Sequence, residues 1–308
     1  MTDTAARPAP EADLRQLLID APAPNVALIA EVRRSIDAMA AHGGLGAEAE
    51  QAVQRLAGWR REGRPMLQRP ILCLYAASYV WRPEAASLTR AQLEALAQGE
   101  GAANGLARAQ GAGVEAFDLA LDRPSPDAAH ADVMSVREAA ATAAFGMEAL
   151  AKTPDLLMLG SMALGQRESA AALALAAGIE LEAGDWSRAA AARAVAQGVE
   201  APLDLLRRTS GRDVAALLGA LIAARSQGAP VVLEGPAALA AALVAKRLHP
   251  SALDHVAAVA GTCAVCRAIS EALELPVLTT SLGPGPGEGV SALATLAVLR
   301  LAAELFDL

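Results

Sequence analysis

Aromatic side chains make up only 3% of this 308-residue chain, with three tryptophans, two tyrosines and three phenylalanines. A core of the size such a length can build must be filled by small and aliphatic residues, and 54% of the residues are hydrophobic. Charge is also scarce, at 19%, and positive charge is the scarcer sign: 26 Lys and Arg against 34 Asp and Glu give a formal charge of −8. That balance excludes a broad phosphate-tracking surface for nucleic acid and leaves room only for local anion sites. Three cysteines, Cys73, Cys263 and Cys266, are too few and too odd in number for a disulfide framework, which points to a reducing compartment, the cytoplasm. Long apolar runs are absent too. The positive mean hydropathy comes from alanine, and a charge interrupts every apolar run within about a dozen residues, short of the roughly 20 that a membrane-spanning helix needs.

What is present has a regular order. The stretch from Met1 to Pro10 carries Asp3, Arg7 and prolines instead of a basic and then apolar leader, so residues 1–24 read as a flexible N-terminal tail. Apolar residues at helical spacing (Val26, Ile29, Val32, Ile36, Met39), the turn His42-Gly43-Gly44-Leu45-Gly46 and a second helical pattern through Trp59 predict a helical hairpin over residues 25–66. The unbroken run from Ile71 to Ala77 fits a strand buried on both faces of a parallel sheet. Strand patterns then recur at Val114–Leu121, Asp155–Leu159, Ala229–Leu233, His255–Ala260 and Pro276–Thr280. Helical patterns lie between them, including Ser135–Ala151 and Trp186–Arg225, and a last one runs from Gly289 to the end. This alternation predicts an α/β domain over residues 67–308: a mostly parallel, Rossmann-like sheet covered by helices on both faces. The N-terminal helices would form a smaller helical subdomain, with the C-terminal helix as a candidate addition.

Ligands of such sheets bind outside the carboxyl ends of the strands, so the residues after each strand are the informative ones. Gly160-Ser161-Met162-Ala163-Leu164-Gly165-Gln166 follows a strand and opens a helix, where backbone N–H groups favour a phosphate, although such a turn also needs glycine for steric reasons alone. It lacks the Gly-Lys-Ser/Thr of a Walker A loop. Ser281 to Ser291 places Glu288 among glycines at a helix start, either as a first-turn glutamate favoured by the helix dipole or as a general base. Cys263-Ala264-Val265-Cys266 is open to three readings: a redox pair, half of a zinc site completed by His249 and His255, or two buried small hydrophobes. His42 and His130 read as solvated loop residues.

Taken in order, these segments resemble the nicotinate-nucleotide:dimethylbenzimidazole phosphoribosyltransferase family over nearly the whole chain. Gly287-Glu288-Gly289, within Pro284 to Ala292, resembles the family's L-G-E-G-T-G-A. Val231-Val232-Leu233-Glu234-Gly235 resembles its strand ending in Asp-Gly, Gly101-Ala102-Ala103-Asn104 its G-A-A-I-N helix start, and Gly160 to Gln166 its G-E-M-G-I-G-N. The resemblance implies a phosphoribosyl transfer in which a nitrogen of a benzimidazole-type base attacks C1′ of nicotinate mononucleotide, with inversion and release of nicotinate. Glu288 would be the catalytic base. Gly160, Ser161, Met162, Gly165, Gln166, Arg193, Gly287 and Gly289 would hold the nucleotide and its phosphate, and Ser78, Tyr79 and Trp81 would shape the base pocket. No metal and no cofactor is implied, the partners are small molecules with neither nucleic acid nor membrane, and the assembly is a homodimer.

The chain departs from the family pattern at binding positions. Ser161 stands where the family has a second glutamate near the base, and Ala77 to Trp81 replace its G-D-H-G-V. Cys263 and Cys266 fall at its E-x-G-H, and Gly283-Pro284-Gly285-Pro286 is inserted before the glutamate loop. These departures leave a second reading open, a catalytically degenerate paralogue that binds a nucleotide or base without turnover.

Overall fold

The computed structural model describes residues 10–40, 46–59, 67–259, 261, 263–278 and 289–305. Six strands, β1 (Pro70–Ala76), β2 (Gly113–Asp118), β3 (Leu156–Ser161), β4 (Val231–Leu233), β5 (Val256–Val259) and β6 (Val277–Leu278), form one all-parallel sheet in the order β2-β1-β3-β4-β5-β6. The geometry of a strand explains the continuous apolar run of β1. Successive side chains point to opposite faces, so Ile71, Cys73 and Tyr75 enter one apolar layer while Leu72, Leu74 and Ala76 enter the other. β3 divides in the same way, Leu157 and Leu159 against Leu156 and Met158. Both faces are covered by helices, as the alternation predicts.

The helices are α1 (Pro10–Ile19), α2 (Val26–Ala40), α3 (Ala47–Ala57), α4 (Ala85–Ala97), α5 (Gly101–Ala109), α6 (Val136–Gly146), α7 (Gln166–Ala176), α8 (Asp185–Ala196), α9 (Pro202–Thr209), α10 (Arg212–Gln227), α11 (Pro236–Leu248), α12 (Ala264–Ala272) and α13 (Val290–Leu305). One layer takes Val53 and Leu56 from α3, Ala103 from α5, and Leu293 and Leu296 from α13, packed with Leu72 and Met158 of the sheet. The N-terminal hairpin and the C-terminal helix thus share the apolar layer of the sheet itself. Arg300 of α13 donates to the Leu67 carbonyl at 2.9 Å, just before β1, so α13 runs back along the sheet toward its amino edge.

Three expectations need correction. Within the expected tail, Pro10–Ile19 is a helix: Leu14 and Leu18, one turn apart, are buried against the layer that contains α10, and Arg15 donates to the Leu248 carbonyl at 2.6 Å. A proline at the first helical position supplies the start, which composition alone obscured. The helical stretch over 186–225 is three helices, broken at Gly198 with φ 65° and again at Ser210-Gly211. The helix over 135–151 ends at Gly146 and passes into a 3₁₀ turn, Met147–Leu150, while its start carries a capping box between Ser135 and Glu138.

Alanine allows the helices to approach closely. α10 is buried continuously from Asp213 through Arg225, and at its crossing with α6 a Cβ on Gly219 would overlap the backbone carbonyl of Ala143. That carbonyl cannot rotate away as a side chain would. Gly219→Ala should therefore destabilise the protein by about 3 kcal/mol through overpacking, despite the better helix propensity of alanine. Chemical denaturation checks this, and an unchanged midpoint would mean that the crossing is looser than described.

Candidate active site

The order of the strands locates the crevice. From β1 the chain moves outward to β2 and then returns to the other side of β1 for β3, so the connections leave the carboxyl ends of β1 and β3 in opposite directions. Both segments singled out in the sequence, Ser78–Trp81 and Gly160–Gln166, meet at this point.

A buried carboxylate joins them. Asp213, in the first turn of α10, accepts hydrogen bonds from the Tyr79 hydroxyl at 2.6 Å and the Ser161 hydroxyl at 2.8 Å. Ser161 Oγ in turn accepts the Ala163 N–H at 3.0 Å. The Ser161 carbonyl accepts from Gln166 Nε2 at 2.9 Å. Gln166 Oε1 receives the Ala237 N–H at the start of α11, at 3.4 Å. Burial pushes the Asp213 carboxyl above its usual range, opposed by the Tyr79, Ser161 and backbone hydrogen bonds, and burial beside Asp213 pushes the Tyr79 phenol well up. A carboxyl with a raised folded-state pKa binds its proton more tightly when folded. Its contribution to stability is complete below the ordinary carboxylate pKa and is lost as pH rises through the raised value. The unfolding free-energy difference between wild type and Asp213→Asn should therefore shrink or change sign across that window in denaturant titrations at a series of pH values. Parallel pH profiles for the two proteins would contradict it.

The structure places the other sequence-predicted residues unevenly. Gly160 and Ser161 belong to the end of β3, not to a loop, and the Met162 N–H donates to the Tyr75 carbonyl at 2.9 Å. Gly165, with φ 105°, turns the chain into α7, and a Cβ there would press on the Tyr79 ring at 3.1 Å and Trp81 Nε1 at 3.4 Å. Tyr79 is fully buried, and Ser78 Oγ donates inward to the Leu121 carbonyl at 2.9 Å. Trp81 is half-buried and lies between Tyr79 and Trp186, with ring centroids 4.3 and 4.1 Å apart. Arg193 is engaged elsewhere: it donates to Asp132 at 2.8 Å, in a cluster where Arg207 and Arg208 also bind Asp132.

Gly287 and Glu288 lie outside the described residues, as do His42 and the inserted Gly283–Pro286. Gly289 lies at the start of α13, against Leu72, whose side chain a Cβ would overlap. The residue that fixes this start was not singled out from the sequence. Glu234, buried at the carboxyl end of β4, accepts the Ala292 N–H at 2.6 Å, placing a carboxylate on the first turn of α13. Its signal was visible as an acid closing a strand before Gly235-Pro236, the place where the family carries Asp-Gly.

The histidines offered for zinc are occupied separately. His249 Nδ1 lies 2.8 Å from Ser251 Oγ, and His255 is packed edge-on against Trp59, where burial pushes its pKa down to about 3. His255 precedes β5 and Cys263 follows it, so the strand separates them. His130 is exposed and pairs with Asp127.

An open parallel sheet with a crevice at its strand reversal, a glycine-led helix after β3 and a carboxylate-held helix start beyond β6 has the architecture of an α/β enzyme that handles a nucleotide. Residues 21–307 match the family model described as phosphoribosyltransferase. The nicotinate-nucleotide–dimethylbenzimidazole phosphoribosyltransferase of Sinorhizobium fredii is 37% identical over 94% of this chain and 92% of its own length. Its Rhizobium meliloti counterpart is 35% identical with the same coverage. The solved structure of the enzyme of that name from Thermus thermophilus superposes with a TM-score of 0.74 at 25% identity, covering 98% of this chain and 96% of the other. The chain therefore belongs to the nicotinate-nucleotide:dimethylbenzimidazole phosphoribosyltransferase family. No helix among the described residues is long and apolar enough to cross a membrane.

Proposed function

We propose that this protein transfers the phosphoribosyl group of nicotinate mononucleotide to a benzimidazole-type base, forming the lower-ligand nucleotide used in cobalamin assembly. The observation that carries this reading is relatives of that name at 35–37% identity along 94% of the chain, together with the retained Gly287-Glu288-Gly289. The lone pair of one imidazole nitrogen forms the new bond to C1′. The bond from C1′ to the pyridine nitrogen breaks with its electron pair leaving on nicotinate, and Glu288 takes the proton from the second imidazole nitrogen. These changes balance without a redox partner. Glu234 supports the assignment of Glu288 by holding the first turn of α13, which follows Glu288 closely in the chain.

The turn from Met162 to Gln166 and the glycines flanking Glu288 hold the nucleotide, and Trp81 contributes an aromatic face to the base pocket. Ser78, Tyr79 and Ser161 act behind that surface, through Asp213 and the loop carbonyls. Arg193 would reach a phosphate only by giving up part of its pairing with Asp132. The chain works as a homodimer in the cytoplasm. The half-exposed edge strand β2, with exposed Phe145 beside it, and the three free thiols support that reading.

The test is chromatography of purified protein incubated with nicotinate mononucleotide and dimethylbenzimidazole. Released nicotinate together with a new benzimidazole nucleotide is the expected result. Calorimetric binding of nicotinate mononucleotide with no release for any benzimidazole offered would replace the transferase with a binding paralogue.

A further inference from the structure

Cys263 and Cys266 stand where β5 gives way to α12, on the same sheet edge as the crevice but beyond the strand that carries Glu234. Cys263 is the N-cap of α12: its Sγ accepts the Cys266 N–H at 3.3 Å, and the two sulfurs are 2.9 Å apart. Both thiols are free. Cys263 is half-buried and lines a groove of about 550 Å³ with Arg167, Glu168, Glu182 and Arg188, whereas Cys266 lies beneath it at 2% exposure. Gly261 packs directly on the inner thiol, since a Cβ there would overlap the Cys266 side chain.

We propose that this pair is a reversible dithiol/disulfide site, reactive toward small disulfides of the glutathione class, with Cys263 as the nucleophile and Cys266 as the resolving thiol. One sulfur is accessible and capped on a helix start, the other is buried behind it, and the separation is within about 1 Å of the roughly 2.05 Å of a disulfide bond. The hydrogen bond from Cys266 holds the Cys263 thiol well below its usual range against partial burial, with Arg167 adding to the effect, and the same hydrogen bond and burial push the Cys266 thiol up. The groove sets two guanidinium groups, Arg167 and Arg188, beside two carboxylates, Glu168 and Glu182, a balance that suits a ligand such as glutathione, which carries both an ammonium and carboxylates.

In the forward reaction the Cys263 thiolate attacks one sulfur of oxidised glutathione, forming a mixed disulfide and expelling one glutathione thiolate. Cys266 then loses its proton and attacks Cys263 Sγ, expelling the second. The two cysteines are oxidised by two electrons, and the small disulfide is reduced to two thiols. Cys73 is the internal control. It is buried, with its thiol pushed well up by burial and the neighbouring Glu115.

The experiment equilibrates the intact protein in a series of reduced-to-oxidised glutathione ratios, quenches with acid, alkylates the remaining thiols and maps peptides by mass. The expected wild-type result is an internal Cys263–Cys266 disulfide that forms and reverses with the ratio while Cys73 stays alkylated. Before oxidation, iodoacetamide at neutral pH should label Cys263 at least about tenfold faster than Cys73. Cys266→Ser should trap one glutathionyl group on Cys263. Wild-type Cys263 and Cys266 that both remain free thiols at the most oxidising ratio would overturn the proposal, as would labelling of Cys263 no faster than Cys73. The wild-type arms decide the matter even if a variant folds poorly.

Discussion

Replacing Glu288 with glutamine is expected to lower nicotinate release by about 10²–10⁴-fold, the range in which a positioned general base contributes. Glutamine keeps the shape and hydrogen-bonding reach of the side chain and removes only the capacity to accept a proton. Because that proton leaves the base as the new bond to C1′ forms, the loss should fall on kcat, with the KM for nicotinate mononucleotide nearly unchanged. The melting temperature should also hold, since the first turn of α13 is fixed by Glu234 and the helix by its apolar face over the sheet. Steady-state kinetics by nicotinate chromatography, paired with thermal melts, separates these effects. A Glu288→Gln enzyme with the wild-type rate would remove this residue from the reaction.

Placing a glutamate at position 161, the residue that the family resemblance puts there, should be strongly destabilising here. Ser161 is fully buried, and its hydroxyl lies 2.8 Å from a carboxylate oxygen of Asp213. Ser161→Glu would force a larger side chain and a second acid into a closed site, where two neighbouring carboxyls cannot both ionise. The expected cost is about 3–5 kcal/mol, that of a buried charge left without compensation. Pairing it with Asp213→Ser removes the competing acid and frees volume, so the double variant should recover more than half of the loss, a coupling visible in a denaturation cycle. A Ser161→Glu protein as stable as wild type would show that the site opens to admit the side chain. The recovery would mean that Asp213 is the group that excludes an acid from position 161.

The sheet and its two covering layers were legible because β1 and β3 are continuously apolar and the helices between strands are long. The helix ends were not. Trp186–Arg225 reads as a helical stretch without its internal ends, which fall at Gly198 to Pro202 and at Ser210-Gly211. Leu14 and Leu18 were hidden by the prolines around them, although their spacing of one turn is what buries them. At the candidate site, Ser78–Trp81 and Met162–Gln166 follow β1 and β3, whereas Gly160 and Ser161 end β3 itself. What spacing could not show is that their polar atoms turn inward to an aspartate 52 residues away in sequence from Ser161. Asp213 sits in a run of ordinary helix-forming residues, where a first-turn acid needs no further explanation. Glu234 escaped for the opposite reason: it was read as part of a motif, while its work is done on a helix start 58 residues later.

The scarcity of aromatic residues gives the crevice its own optical signature. Of the chain's three indoles, Trp59 lies under the guanidinium of Arg225, while Trp81 and Trp186 are stacked 4.1 Å apart where the segment after β1 meets the start of α8. Two transition dipoles at that separation couple, so the folded protein should carry an exciton feature in its circular dichroism that belongs to one place on its surface. Any ligand that slides between or beside those rings would change the feature without a label. Three of the chain's eight aromatic side chains, Tyr79, Trp81 and Trp186, thus form one stack that reports on its own surroundings.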